Sequence, residues 1–294
     1  MNPLHIPVLQ EEILEMLQES SLRICCDATL GFGGHAKSLL NAHPEIETYL
    51  AFDQDAEAIQ LASKELSSFS QVDYIHKNFQ DISQVFREKN LFAADFFLFD
   101  LGVSSMQLDQ KEKGFSFMKD GPLDMRMDST NTLKAETVVN EYSEKELGEI
   151  FREFGEEPMW KAISKAIHQS RKKKRITTTL ELSEVIQSVK KRRGRLHPAT
   201  LAFQALRIFV NGELDALKKG IQSAAHLLAK SGSIFVICFH SLEDRIVKWA
   251  FRELAGKDSP YEIVTKKPIT ATRQEIKKNP RARSAKLRAL KRRG

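Results

Sequence analysis

Through the first hundred positions, apolar residues fall into short blocks of two kinds that alternate along the chain. Residues 22–28, 48–53, 72–76 and 94–100 are compact runs that read as strands. Residues 36–42, 55–66 and 82–89 read as helices; in the second of these Ala56, Ile59, Ala62 and Leu66 recur at helical spacing. Such alternation predicts a parallel sheet assembled from βαβ units. The run ADFFLFD at 94–100 is nearly continuously apolar, as a central strand covered on both faces should be. From about 108 to 201 the alternation stops, and polar helical pattern with basic runs takes over, with no convincing strand. The α/β pattern then resumes with a helix over 212–229, the strand SIFVICF at 233–239, a helix over 242–254 and a short strand at 261–265. The predicted architecture is an α/β, Rossmann-like domain made by residues 1–107 and 202–294, interrupted by an all-helical domain at 108–201.

Composition narrows the setting. With 41% hydrophobic and 29% charged residues in 294, the chain is large enough for a sizeable core. No apolar run approaches the roughly 20 residues of a membrane span, and the first twelve residues lack a secretory pattern, so a cytoplasmic protein without a membrane partner is expected. Cys25, Cys26 and Cys238 all lie in strand-like runs without metal-ligand spacing, which predicts buried thiols, no disulfide framework and no metal site. The net charge of +6 is unevenly spread. Residues 266–294 hold 12 Lys/Arg against Glu275 alone, and 171–195 hold 10 against Glu181 and Glu184, so the remaining body is acidic. Concentrated basic patches on an acidic body point to a polyanionic partner, and the extreme C-terminus is biased enough to be mobile when unbound.

The chemistry begins at 27–35, DATLGFGGH, where a strand ends in an acid and runs into glycines before a helix. Glycines there allow a tight turn and close approach of a ligand. Gly31, Gly33 and Ala36 also satisfy the nicotinamide pattern G-x-G-x-x-G/A, and Asp53 after the second strand suits the ribose hydroxyls of either cofactor. Asp27 separates the two. Its carboxylate would repel a pyrophosphate but suits the ammonium and sulfonium of a methionine-carrying nucleoside; the bland reading of Asp27 is a turn cap. Phe79 after the third strand and Asp100 after the fourth complete a set at strand carboxyl ends, where open α/β sheets bind ligands. His240, Ser241 and Asp244 lie at a strand-to-helix junction without a G-x-S-x-G elbow, so Ser241 is expected to be an N-cap and Asp244 a first-turn acid.

Longer blocks then carry a resemblance. DLGVSSMQLD at 100–109, GFSF at 114–117, GPLDMRMD at 121–128, HIPVL at 5–9, LAFQALRI at 201–208 with Val210 and Asn211, FHSLEDR at 239–245 and NPRARSAKLR at 279–288 closely resemble the bacterial small-subunit ribosomal RNA cytosine-N4 methyltransferases over essentially the whole chain. The resemblance implies S-adenosyl-L-methionine as cofactor, methylation of the N4 amine of a cytidine in the decoding region of 16S ribosomal RNA, and substrate recognition by the inserted domain. It implies cofactor contacts at Gly33, Gly34, His35, Asp53, Phe79, Asp100 and Gln107, with Asp27 and Gly31 as additional candidates. Ala36 stands where that family often has Ser. Asp100, Ser104 and His240 are the candidate catalytic residues. Arg171, Lys172, Lys173, Lys174, Arg175, Arg192, Arg193, Arg281, Arg283, Lys286 and Arg288 are the candidate RNA-binding residues. A DNA amino-methyltransferase, a nicotinamide oxidoreductase and a catalytically silent ribosome-assembly factor are the alternatives, and the sequence leaves the choice between monomer and homodimer open.

Overall fold

The computed structural model describes residues 7–104, 107–108, 110–192 and 196–294. Arg193, one of the candidate RNA-binding residues, lies outside this set. The chain divides into two compact units, one formed by 1–102 with 214–294 and the other by 103–213.

The first unit is a seven-stranded sheet. Its elements in chain order are α1 (Gln10–Leu17), β1 (Ile24–Asp27), α2 (Gly34–Ala42), β2 (Thr48–Asp53), α3 (Ala56–Glu65), β3 (Val72–His76), α4 (Ile82–Glu88) and β4 (Ala94–Asp100). The strands 48–53, 72–76 and 94–100 fall where the apolar runs predict them. Strand order across the sheet is β3-β2-β1-β4, continued by three strands from the C-terminal segment. All pairings among β1 to β4 are parallel. Successive side chains of a strand face opposite sides, so Cys25, Tyr49, Ala51, Phe96 and Leu98 join one core while Cys26, Leu50, Phe52, Phe97 and Phe99 join the other. Coverage on both faces explains why these strands read as continuous apolar runs. The cysteines are free, buried thiols, and burial pushes all three up from the usual thiol range.

The second unit is helical, as the sequence predicts. It contains α5 (Ala135–Glu141), α6 (Glu144–Gly155), α7 (Trp160–Arg171), α8 (Thr179–Val189) and α9 (Thr200–Asn211) around its own core. Two helices start on reciprocal caps, Ser143 with Glu146 and Thr178 with Glu181, which satisfy otherwise orphaned N–H groups. The predicted boundary at 201/202 is corrected to 213/214. Ala202, Ala205 and Leu206 of α9 are buried with Leu147 and Phe151 of α6, so α9 belongs to the inserted unit. The beginning moves likewise, from 107/108 to 102/103, since Val103 packs on that core.

The chain returns to the first unit with α10 (Glu213–His226), β5 (Leu228–Cys238), α11 (Ser241–Leu254), β6 (Tyr261–Ile263), α12 (Arg273–Lys278) and β7 (Lys286–Arg292). The expectation of a mobile C-terminus is overturned here. β7 lies between β5 and β6, antiparallel to both. Leu287, Ala289 and Leu290 are buried in the two cores. Two of the basic residues that suggested a free tail are accommodated by pairing with one acid. Arg288, only 7% exposed, donates from Nε to Asp244 Oδ1 at 2.6 Å, and Lys286 Nζ reaches Asp244 Oδ2 at 3.0 Å. Those bonds fasten α11 to β7. Ser241 is the first residue of α11 rather than its cap; His240 takes the cap position, with extended backbone and Nδ1 accepting from Glu243 N.

Removing the acid while Arg288 stays buried would leave an unpaired charge in the sheet. Asp244→Ala should lower stability by about 3 kcal/mol in chemical denaturation, and adding Arg288→Met should recover most of the loss.

Candidate functional site

The loop after β1 is built by hydrogen bonds that the strand ends supply. Asp27, 1% exposed, accepts from Thr29 N at 3.0 Å through Oδ1 and from the Tyr49 hydroxyl at 3.2 Å through Oδ2. Thr29 in turn accepts the Asp100 N–H on Oγ1 at 2.6 Å, tying the loop to the end of β4. Asp53 accepts from Gly31 N through Oδ2 and from Asp55 N through Oδ1, both at 2.9 Å. The turn therefore hangs between the ends of β1, β2 and β4. Gly31 and Gly33 have φ of +53° and +77°, a region that side chains disfavour. At Gly33 a Cβ would also sit 2.9 Å from Leu66 Cδ1. Gly33 caps α2, so the helix N-terminus opens directly onto this turn.

His35, in the first turn of α2, points back at the same strand ends. It is 8% exposed, and its Nε2 stands 3.6 Å from Asp100 Oδ2, too far for a hydrogen bond. His35 Nε2 and Asp100 Oδ1 are both buried without a hydrogen-bond partner. Orphaned polar atoms of this kind are costly and rare, and side by side at strand carboxyl ends they mark a place prepared for a polar ligand. Burial also pushes the carboxyls of Asp27 and Asp53 up to about 6. A cation entering here would favour their ionised forms.

Phe79 opens the 3₁₀ turn Phe79–Asp81 after β3. Its edge meets Phe99 with ring centroids 5.6 Å apart, and Gly220 on α10 makes room for it, since a Cβ there would come within 2.8 Å of the ring. Phe79 is only half-buried despite these contacts.

At the end of β5, His240 Nδ1 accepts from Glu243 N at 3.4 Å, which places the proton of a neutral ring on Nε2. That Nε2 lies 3.0 Å from Glu243 Oε1 but out of line for a hydrogen bond. Glu243 Oε2 accepts from the N–H groups of Phe239 and His240 at 2.7 and 3.2 Å.

The structure thus brings together Asp27, Gly31, Gly33, His35, Asp53 and Asp100, with Gly34 starting α2 beside them. Ser104 and Gln107 fall in the 103–213 unit, where each backbone N–H donates to the other's side chain at 3.0 and 3.2 Å. Sequence reading missed Thr29, Tyr49 and Gly220. Thr29 stands inside the motif and its hydroxyl was a readable signal; the others are known only from tertiary packing.

The candidate RNA residues divide by partner. Lys172 and Lys173 are exposed and make no ion pair among the described residues, as do Arg192 and Arg283. Lys174 pairs with Glu181, and Arg175 with Glu136 and Glu141. Arg171 is half-buried and donates to the Val139 carbonyl at 2.7 Å. Arg281 is half-buried, and Lys286 and Arg288 are committed to Asp244.

Residues 2–293 match the MraW methylase family. The chain belongs to that family. A relative from Chlamydia abortus, a ribosomal RNA small subunit methyltransferase H, is 47% identical over 293 residues, covering 98% of this chain and 97% of that protein. A protein of the same name from Halothermothrix orenii is 44% identical over 305 residues, covering 98% of each. Among solved structures, an rRNA methylase from Streptococcus thermophilus aligns with a TM-score of 0.48 at 10% identity, covering 99% of each chain. The α/β unit is a Rossmann-like, class I methyltransferase fold, and S-adenosylmethionine is its cofactor. The glycine turn and the orphaned His35 and Asp100 atoms fit such a group. Among the described residues, no helix is long and apolar enough to cross a membrane.

Because the folded carboxyl of Asp27 titrates near 6, above its ordinary 3.8, its contribution favours folding below pH about 4 and is lost as pH rises through 6. Asp27→Asn keeps an acceptor for Thr29 N without the buried charge. In thermal melts without ligand, the variant's Tm relative to wild type should rise between pH 4 and 7; a constant difference would refute the assignment of a strained, ionising Asp27.

Proposed function

We propose that the protein methylates the N4 amine of a cytidine in the decoding region of the small-subunit ribosomal RNA, within the small ribosomal subunit. The observation that carries this reading is the similarity, at 44–47% identity over 98% of the chain, to relatives named for small-subunit rRNA methylation. When bound, the cofactor supplies a methyl group made electrophilic by its sulfonium. Gly31, Gly33 and Gly34 let the backbone lie against it. Asp53 retains lone pairs for the ribose hydroxyls beyond those occupied by Gly31 N and Asp55 N. Phe79 flanks the adenine, Asp27 faces the cationic end, and the unpartnered His35 Nε2 and Asp100 Oδ1 find in the cofactor the polar contacts they otherwise lack. Gln107 is assigned to the same cofactor by the family resemblance.

The N4 amine is conjugated with its ring and is a weak nucleophile, so the protein's task is alignment plus an acceptor for the amine hydrogen. Alignment can supply on the order of 7 kcal/mol. Asp100 is the acceptor in this reading, with Ser104 and His240 as further catalytic candidates, and no covalent enzyme intermediate is needed. Lys172, Lys173, Lys174, Arg175, Arg192 and Arg283 are positioned by exposure to meet phosphates, which fix register rather than sequence. Arg288 is withdrawn from this role by its burial against Asp244.

Radiolabelled S-adenosylmethionine offered with unmethylated small subunits, free ribosomal RNA and duplex DNA should deliver label to N4-methylcytidine in the small-subunit RNA, as read by nucleoside mass spectrometry. Label in another nucleoside, or in DNA alone, would refute the substrate assignment. Replacing Lys172 and Lys173 together by Ala should weaken RNA binding and flatten the slope of log affinity against log salt by about 0.7 to 0.9 per lost phosphate contact. An unchanged slope would remove them from the interface.

A further inference from the structure

The helical unit carries an aromatic arrangement that the cofactor site does not use. Phe117, in the loop before α5, lies face to face with His197, ring centroids 4.4 Å apart and planes within 11°. The edge of Phe203, a buried residue of α9, meets the same Phe117 ring at 5.3 Å. Phe203 is buried in the core, whereas Phe117 and His197 are both half-buried, so the stacked pair stands at the margin of that core with one face of the His197 ring against Phe117. His197 Nδ1 accepts the Ala199 N–H at 3.2 Å, which fixes the plane of its ring. Burial, and then the positive charge of Arg192, hold His197 below the ordinary imidazole range, so the ring is a neutral aromatic plane near physiological pH.

What surrounds the stack differs from an ordinary core edge. Met118, next to Phe117, is 73% exposed, and Leu196, next to His197, is 51% exposed. Lys191 and Arg192 are exposed and make no ion pair among the described residues, and Arg192 is close enough to act on His197. A pre-oriented aromatic plane, exposed apolar flanks and uncommitted cations form the combination by which proteins hold unpaired nucleotides. Every base has a face to stack, and the cations meet the phosphates. An apolar protein partner would leave Lys191 and Arg192 unanswered.

We propose that the Phe117–His197 stack is a platform for an unpaired nucleobase, which lies on the face of His197 opposite Phe117 while Lys191 and Arg192 meet the adjoining phosphates. The inference rests on the ribosomal RNA reading and adds to it a site for a single-stranded base. Neither residue touches the reacting atoms in this assignment; both are binding residues.

The test uses the full chain and fluorescence anisotropy with two single-stranded RNAs, one of mixed sequence and one identical but abasic at its central positions. Wild-type protein should prefer the strand with bases by about tenfold. Phe117→Leu and His197→Ala should each erase that preference while leaving the salt slope unchanged, because no phosphate contact is removed. His197→Ala leaves the Phe117–Phe203 contact in place, so it remains informative if Phe117→Leu fails to fold. Equal affinity of wild type for the two strands overturns the proposal without any variant, and so does a preference that survives in both variants. Methylation of small subunits by wild type is measured in parallel. A base preference without methylation refutes the rRNA-modification reading and keeps the platform, whereas methylation without a base preference does the reverse.

Discussion

Burying the Asp27 carboxylate at the end of β1 carries a free-energy cost that Thr29 N–H and the Tyr49 hydroxyl offset only in part, which is why the group titrates near 6. The rest of the cofactor region is organised around that cost. Thr29 faces two ways, donating to Asp27 from its backbone and accepting from Asp100 on its hydroxyl, so the ends of β1 and β4 cannot move independently. Asp53 fixes the glycine turn from the next strand. The result is a rigid set of acids and one histidine whose remaining valences point at the same place. A cationic ligand gains from carboxylates already desolvated and already oriented, rather than ordering them when it arrives.

Much of this arrangement is legible before any coordinates, and the reason is periodicity. Strands covered on both faces read as apolar runs, and the residues at their carboxyl ends, Asp27, Asp53 and Asp100, with Phe79 shortly after β3, are then placed by the topology alone. Tyr49 escapes because its partnership with Asp27 depends on parallel register, which sets Tyr49 beside Cys25. Gly220 escapes because nothing near it in sequence reports that Phe79 needs its space. The domain boundary was misplaced since α9 is apolar enough to suit either unit. β7 was missed for an electrostatic reason: Lys286, Arg288, Lys291 and Arg292 dominate a seven-residue strand, and only the Asp244 carboxylate makes the burial of Arg288 tolerable.

Charge is likewise redistributed by the fold. The run at 171–175 looks uniformly available in sequence, yet Lys174 and Arg175 face internal acids while Lys172 and Lys173 do not. Exposed pairs of this kind are worth about 0–1 kcal/mol, so a phosphate can displace the acid at little cost. The Arg288–Asp244 pair is different in kind. Its burial makes exchange with a ligand expensive, and it acts as a fastener between helix and sheet.

The position of β7 also bears on how the protein is made. Both strands that β7 separates precede it in the chain, and β5, the longest of the sheet, has one edge with no partner until residues 286–292 join it. Between the appearance of β5 and that of β7 the chain therefore carries an apolar, unpaired edge, the kind of edge that recruits other chains. The sheet is thus closed by a strand laid down after both of its neighbours, and without residues 286–292 the β5 edge would be open to other chains.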